Sequence, residues 1–597
     1  MSVIRSVLPR KVGSVNADLS PNMPGSRITE HVPIAMVIGL FLLVAVLVRP
    51  FGNYPAHDDA GYGLAVFRLV REGHFEFPTW AAMTMVTQLV YGTAACALLG
   101  CSFLSLHISS LIVSLAGIVA VYLLVLEIGM SKNVAALAAA SIALNPIYFA
   151  LSLRYISDMP HFVCLLFGTW LFARNANRKK LANTPGITIM SVLAVLTRQC
   201  GMCMPVAIFF TNLFGGRTTV RRVLSGAVPA TASALCLLAF DYWRTHSGHH
   251  SLNYKSLLEL TGNDTAASLP HVISRLLRVI PLYCGFFLGP IGVSIFCGYW
   301  RGKRLVFSSI AGAGLLYCMA IFLTFHPMPA CPDVLDPDGL SPKVLSVRLP
   351  EIAPWIRWCL TWLCSVSLFS MVYETAAYVK QRALKGSAET IMFVYAALLG
   401  AVYLLSVLRL HAIFDRYVLP LAIPCLILLL ANKPIDRMRT SVGWIAVLFL
   451  SLLTFFSAFN YYSYSSACWN LIRIAVCRGV QPANINGGFE CNLLFSKEPH
   501  GAAVVDWNKW CRHPDAVVDG TSASIPGFSK SVGVQFPCVF GAPQQMWLSL
   551  PDSFAGKTAT TSAPQAQAEL KYFGIFEEQP VSAGSRLLTT SRSRNGF

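Results

Sequence analysis

Long apolar runs separated by short charged links make up most of the chain, and their lengths set the expected elements. The first run, 34–48, is short for a membrane span and can borrow Val32 and Pro33. After an acidic link, apolar stretches cover 80–100, 104–126, 134–152 and 159–173, and a close pair over 185–214 turns near Arg198-Gln199. Further runs occupy 223–241, 278–297, 305–325, 356–379, 390–408, 417–431 and 442–459. Most approach the roughly 20 residues that carry a helix across about 30 Å of hydrocarbon.

Basic clusters punctuate these runs at Arg174/Arg178/Lys179/Lys180, Arg217/Arg221/Arg222, Arg301/Lys303/Arg304, Lys380/Arg382/Lys385 and Lys433/Arg437/Arg439. If all lie inside, as positive charge between spans prefers, the number of crossings between Asp59 and Arg174 is odd. Counting 80–100 as a span would make it four. That stretch, with Thr84, Gln88 and Gly92, is therefore expected as a juxtamembrane or re-entrant helix on the outer side, leaving three. The link Arg154-Tyr155-Ile156-Ser157-Asp158 then shares the outer side with Asp58 and Asp59.

The predicted architecture is an all-α polytopic membrane protein of about 13 transmembrane helices with a small mixed α/β domain outside. Residues 1–32 form a mildly basic inner tail, which with the first run reads as an uncleaved signal anchor. Residues 33–459 form the membrane domain, with a first outer loop over 50–103, and 460–597 form the outer domain. A segment at 326–355, rich in Pro and Asp, reads as an irregular lid-like loop. Strand-like runs occur at 502–505 and 532–536, and the tail after about 555 has a flexible composition.

Composition narrows the class. A content of 55% hydrophobic and 12% charged residues excludes a large soluble enzyme. The net charge of +18 sits in the short clusters between apolar runs, where it sets topology and meets lipid headgroups, a pattern unlike a nucleic-acid surface. Most of the eighteen cysteines are scattered through apolar runs as small hydrophobes, and Cys200-Gly201-Met202-Cys203 reads as packing. Cys331, Cys477, Cys491, Cys511 and Cys538 fall in outer segments where disulfides can form, and spacing does not fix the pairs.

The chemistry concentrates in His57-Asp58-Asp59-Ala60-Gly61-Tyr62, at the mouth of the first run. Two adjacent carboxylates are costly near a bilayer unless they face water, a cation or a substrate. Tyr62 to Val70 then has the apolar face of an interfacial helix, which one of the acids could simply cap. Asp158, in Ser157-Asp158-Met159-Pro160, equally suits a cap with Pro just inside the helix. Arg198 interrupts two apolar runs and calls for an anionic partner, either a buried Asp or a lipid phosphate. Arg409, Asp415 and Arg416 gather at the outer end of another run, where the bland reading is an interfacial ion pair.

These motifs together resemble the GT-C superfamily of polytopic glycosyltransferases, in the branch of protein O-mannosyltransferases and the lipid A aminoarabinose transferase. The residues that carry the resemblance are the acidic pair with Tyr62, Asn145-Pro146, Ser157-Asp158-Met159-Pro160, Leu196-Thr197-Arg198-Gln199, Arg416-Tyr417-Val418-Leu419-Pro420 and Asn486-Gly487-Gly488-Phe489-Glu490. The resemblance implies the GT-C fold and an inverting transfer of a sugar from a polyprenyl-phosphate carrier to a lipid, glycan or protein acceptor. It also implies a bacterial inner membrane and a site facing the periplasm. Asp58 matches the first-loop catalytic aspartate, Asp59 its neighbour, Asp158 the second-loop acid and Arg198 a phosphate-meeting base. Aminoarabinose transferases carry an Arg and a Lys where this chain has Gly61 and Phe77, so phosphate contacts fall to Arg198, Arg154 and Arg416. The expected catalytic residues are thus Asp58, Asp59 and Asp158, and the substrate-binding ones His57, Tyr62, Arg154, Arg198 and Arg416. No cofactor or obligate metal is expected, although two carboxylates could hold a divalent ion. The alternatives are a transporter or flippase of lipid-linked glycan, or a non-catalytic assembly protein.

Overall fold

The computed structural model describes residues 32–589 apart from 57, 76, 79–80, 179–180, 215–218, 249–253, 255–268, 325–326, 332, 338, 341–348, 382–386, 409–412, 435–437, 496–513, 521–527, 540–541, 552–566, 569, 572–574 and 576–585. The inner tail, His57, Arg409, the run 502–505 and Cys511 therefore lie outside the described residues. Helix α1 (Val32–Val48) takes up the borrowed Val32 and Pro33. Helix α2 (Asp59–Glu72) covers the run expected to be a helix after the acidic pair and is stopped by Gly73 at φ 66°. Helix α3 (Val86–Leu99) has 14 residues. At 1.5 Å per residue that is about 21 Å, short of a bilayer core.

Helix α4 (Phe103–Glu127) is a full span in length, and the chain returns through α5 (Lys132–Ala143) and α6 (Pro146–Ser152) to α7 (Asp158–Arg178). Helices α8 (Thr184–Thr197) and α9 (Cys203–Phe214) turn where expected, at an extended Arg198 followed by a short 3-10 turn. There follow α10 (Val220–His246), the stretch Val272–Phe287, α11 (Gly289–Gly302), α12 (Arg304–Thr324), α13 (Pro354–Gln381), α14 (Ala388–Leu408), a 3-10 segment Asp415–Leu421 leading into α15 (Ala422–Leu430), and α16 (Thr440–Cys477). Among the described residues six helices are long and apolar enough to cross a membrane, or up to eight if each bent pair is one span. Of the thirteen expected crossings, others such as α1 and α8 are apolar but shorter. The chain is a multi-pass membrane protein.

Two runs expected as straight spans are sharply bent: α5 meets α6 at 71°, and Val272–Phe287 meets α11 at 84°. Pro146 and Pro290 open the second helix of each pair, where a missing N–H costs least. The freed backbone groups find side chains. Leu144 O accepts from Thr454 Oγ1 at 2.7 Å, Leu288 O from Ser367 Oγ at 3.2 Å, and Asn145 Oδ1 takes the Ile147 N–H at 3.0 Å. Buried in protein and satisfied in this way, a helix break is tolerable at membrane depth.

The change of composition at Asn460 does not end a helix. Helix α16 runs on to Cys477, 38 residues in all, or about 57 Å, well beyond a bilayer core. Its second half buries Tyr461, Tyr462, Tyr464 and Trp469 and serves as the floor of the C-terminal sheet. The Pro-rich loop carries a small hairpin of β1 (Leu335–Asp336) and β2 (Gly339–Leu340). The C-terminal sheet has five strands in the order β3-β4-β6-β5-β7: β3 (Ile485–Asn486), β4 (Ala516–Asp519), β5 (Phe528–Phe536), β6 (Gln544–Pro551) and β7 (Arg586–Thr589). The run 532–536 is thus a strand, as expected. Val532, Val534 and Phe536 of β5 and Met546, Leu548 and Leu550 of β6 are among its buried positions, and Phe536 packs edge-on to Tyr464. Cys331, Cys477, Cys491 and Cys538 are free thiols.

Close helix approach makes one stability test direct. A Cβ at Gly285 would overlap the Cys364 backbone on α13, whereas one at Gly39 on α1 would meet nothing within 4 Å. Gly285→Ala should lower the stability of the purified protein by roughly 1–3 kcal/mol, read as an earlier thermal transition in detergent, while Gly39→Ala leaves it unchanged or slightly raised.

Candidate active site

Asp58 stands at the start of α2, but its carboxylate makes no capping hydrogen bond. It accepts instead from Arg416 Nη1 at 2.8 Å, so the ion pair displaces the capping alternative. Arg416 Nε lies 3.1 Å from Asp333 Oδ2, close enough to pair but off the line of a hydrogen bond. Asp333 belongs to the Pro-rich loop, which Asp415 ties down from below. The Asp415 carboxylate accepts the N–H of Val334 at 3.1 and 3.2 Å, of Leu335 at 2.8 Å and of Arg416 at 2.7 Å. Burial, aided by the charge of Asp333, pushes the Asp415 carboxyl well above the usual carboxylate range against these donors. Burial pushes the neighbouring Cys331 thiol up to about 12.

Asp158 opens α7 and pairs with Arg198 Nη2 at 2.7 Å, while Arg198 Nε donates to Ser157 Oγ at 3.0 Å. The partner that Arg198 requires is thus a buried Asp from the preceding link. The Tyr417 ring lies under both arginines, 5.2 Å from the Arg198 guanidinium carbon and 5.7 Å from that of Arg416. Arg416 also feels the charge of Asp158, and Tyr62 feels Asp58, Arg416, Arg198 and Asp158 together. Tyr62 is buried, its hydroxyl on Met83 Sδ at 3.2 Å. Two acids about a hundred residues apart therefore enter one group with two arginines and two tyrosines.

Asp59 and Arg154 belong to a second group behind it. Asp59 Oδ1 accepts the Ala56 N–H, and Oδ2 lies 2.7 Å from His107 Nε2. Burial raises its carboxyl above the usual range, while the His107 contact and the Arg154 charge pull the other way. Arg154 is fully buried, 4.7 Å above the Tyr461 ring, and Tyr461 donates to Glu490 Oε1 at 3.2 Å. Of the eight candidate residues, Asp58, Tyr62, Asp158, Arg198 and Arg416 converge, Asp59 and Arg154 lie behind them, and His57 is outside the described residues.

The sequence gives no site role to Asp333 or His107, and it points to Asp415 and Tyr417 only as members of the ion-pair group and motif around Arg416. Asp333 was one of several acids in a loop read only for its irregularity, and His107 lay inside an apolar run. Among the described residues no three His, Cys, Asp or Glu side chains gather as metal ligands. Cys200 Sγ does sit 3.6 Å from His161 Nε2, a contact that the Cys-x-x-Cys spacing does not foretell.

Replacing Arg416 removes the shared partner of buried Asp58 and half-buried Asp333. Arg416→Gln should destabilise the protein by about 3–5 kcal/mol, and pairing it with Asp58→Asn should recover part of that loss, as read in a double-mutant cycle of unfolding in detergent.

Residues 90–243, which include Arg154, Asp158 and Arg198, match the family model described as dolichyl-phosphate-mannose-protein mannosyltransferase. Among solved structures, the chain is similar to ArnT from Cupriavidus metallidurans in the apo state, at 13% identity over 87% of this chain and 99% of that one, with a TM-score of 0.42. ArnT from the same organism bound to undecaprenyl phosphate gives 11% identity over 88% and 99%, with a TM-score of 0.41. The archaeal oligosaccharyltransferase AglB from Archaeoglobus fulgidus, in complex with an inhibitory peptide and a dolichol-phosphate, gives 14% over 74% and 58%, with a TM-score of 0.39. No curated protein matches the chain. Over the stretch that holds its second acidic link, the chain is similar to the mannosyltransferase family that its motifs resemble.

Proposed function

We propose that the chain is an inverting glycosyltransferase that moves a sugar from a polyprenyl-phosphate carrier to an acceptor hydroxyl at the outer face of a bacterial inner membrane. The observation that carries this reading is the pair of buried arginines, each held by an aspartate from a different loop and both lying against Tyr417. The family matched over residues 90–243 supports a polyprenyl-type phosphate donor. Its named sugar, mannose, is the first one to try.

In this mechanism a phosphate arriving at Arg416 competes with Asp58 for the guanidinium and leaves the carboxylate free to act as a base. Asp58 takes the proton of the acceptor hydroxyl as the oxygen bonds to the anomeric carbon. The bond from that carbon to the phosphate oxygen breaks on the opposite face, which inverts the configuration. The electron pair leaves with the polyprenyl phosphate, and Arg416 and Arg198 stabilise its added charge more strongly in a low-dielectric site than water would. Asp158, across Arg198, orients the acceptor. Tyr62 and Tyr417 wall the site.

The two sharply bent helix pairs favour a second reading, a transporter of lipid-linked glycan, since broken helices are a device of transporters. The readings differ in chemistry. Asp58→Asn should cut transfer from undecaprenyl-phosphate mannose, labelled in the sugar, by about a hundredfold or more in membranes that contain normal amounts of the protein. Undiminished transfer would sink the role of Asp58, and movement of intact donor across vesicles without transfer would favour the transporter. Sidedness has its own test. In a background with the exposed Cys359 and Cys477 changed to Ser, Ser529→Cys on the exposed side of β5 should react with an impermeant maleimide added outside intact cells.

A further inference from the structure

The group around Arg154 takes no part in the reaction outlined above, yet it adjoins both acids of the site. Asp59 follows Asp58 directly, and Arg154 precedes Asp158 on the same short link. The third contributor comes from the far end of the chain, in Asn486-Gly487-Gly488-Phe489-Glu490. A Cβ at Gly487 would meet Cys491 and Ile472 at 2.8 Å, and the Gly487 carbonyl accepts from Cys468 Sγ at 3.4 Å. Gly488 has φ +94°, in the left-handed region. The first glycine therefore lets the strand end lie directly on α16, and the second turns the chain into helix α17 (Phe489–Phe495), which packs on α2.

That turn delivers Glu490 to Tyr461. Glu490, Arg154 and Asp59 then alternate in charge through the interior, negative, positive, negative, with the Tyr461 ring beneath the guanidinium and its hydroxyl on Glu490. Each is at least nine-tenths buried, so none can lose a neighbour cheaply. The Ala56 N–H and His107 hold the other side of Asp59. Tyr54 reinforces the same seam, stacking on Trp469 and donating to Tyr462 O at 3.4 Å.

We propose that Glu490 is a positioning residue which, through Tyr461 and Arg154, holds Asp59 and the start of α2 so that Asp58 stays in register with Arg416. The proposal rests on the transferase reading of Asp58 and assigns the C-terminal domain a part in building the site. A small shift of the acid suffices to be felt, since a misplacement of about 1 Å can cost on the order of a hundredfold in rate.

The test uses the full chain in detergent and three variants. Glu490→Gln removes the charge, Tyr461→Phe keeps the ring beneath Arg154 but removes the hydroxyl, and Glu490→Asp retains a carboxylate. Glu490→Gln and Tyr461→Phe should lower kcat for transfer from undecaprenyl-phosphate mannose by roughly ten- to a hundredfold while moving KM for the donor less than about threefold. Glu490→Asp should restore part of the rate. Hydrogen exchange of the peptide covering 54–66 should quicken in the two impaired variants, and this readout needs no activity. Unchanged exchange there, or a loss that falls on KM with kcat intact, overturns the positioning role. If the wild-type chain transfers no sugar, the transferase reading falls, while the exchange measurement still decides whether Glu490 holds α2.

Discussion

Arg416 is the charge around which the candidate site is assembled. Its guanidinium meets Asp58 from the first loop and Asp333 from the Pro-rich loop, and its own backbone N–H is bound by Asp415. A buried cation without partners is strongly destabilising, so the fold must bring these segments together or leave the arginine in water. The sequence places Arg416 at the head of an apolar helix, where it cannot readily retreat. Three segments far apart along the chain are thereby pinned at one point.

This constraint explains why the Pro-rich loop lies against the site. Asp415 accepts the Val334 and Leu335 N–H groups at the turn into β1, while Asp333 points at Arg416 from the same turn. Neighbouring residues of one 3-10 segment thus hold the loop by backbone and by side chain. A ligand that competes for Arg416 acts on both the first loop and this one, a coupling that follows from a single shared guanidinium. Asp158 and Arg198 form a parallel pair across Tyr417, so the site has a doubled acid and base arrangement.

Behind the site lies a second buried group in which the C-terminal domain takes part. The long α16 links the two regions, its first half apolar enough to cross a bilayer and its second half carrying Tyr461 and Tyr462 toward Arg154 and Asp59. The bends beside Asn145 and at Leu288 depend on this helix and on α13, since Thr454 and Ser367 satisfy carbonyls that the breaks set free. Breaks, long helix and domain are parts of one packing solution.

Much of this was legible along the chain. The apolar runs gave the existence and order of the helices, and the parity of the basic clusters put Asp58 and Asp158 on one side, in line with the single group they enter. The helix after the acidic pair and the turn at Arg198 follow from local pattern as well. All of these depend on periodicity and charge placement within a few tens of residues, which a sequence states directly. Tertiary structure alone decided which acid each arginine meets: Asp333 stood among several loop acids with nothing to rank it, and Arg154, a candidate for phosphate, turned to Tyr461 and Asp59 instead. It also carried α16 past Asn460, because tyrosines and serines that look like the end of a span become core once a sheet covers them. Partner choice between buried charges depends on which distant segments reach the same point in space, and local pattern contains no measure of that.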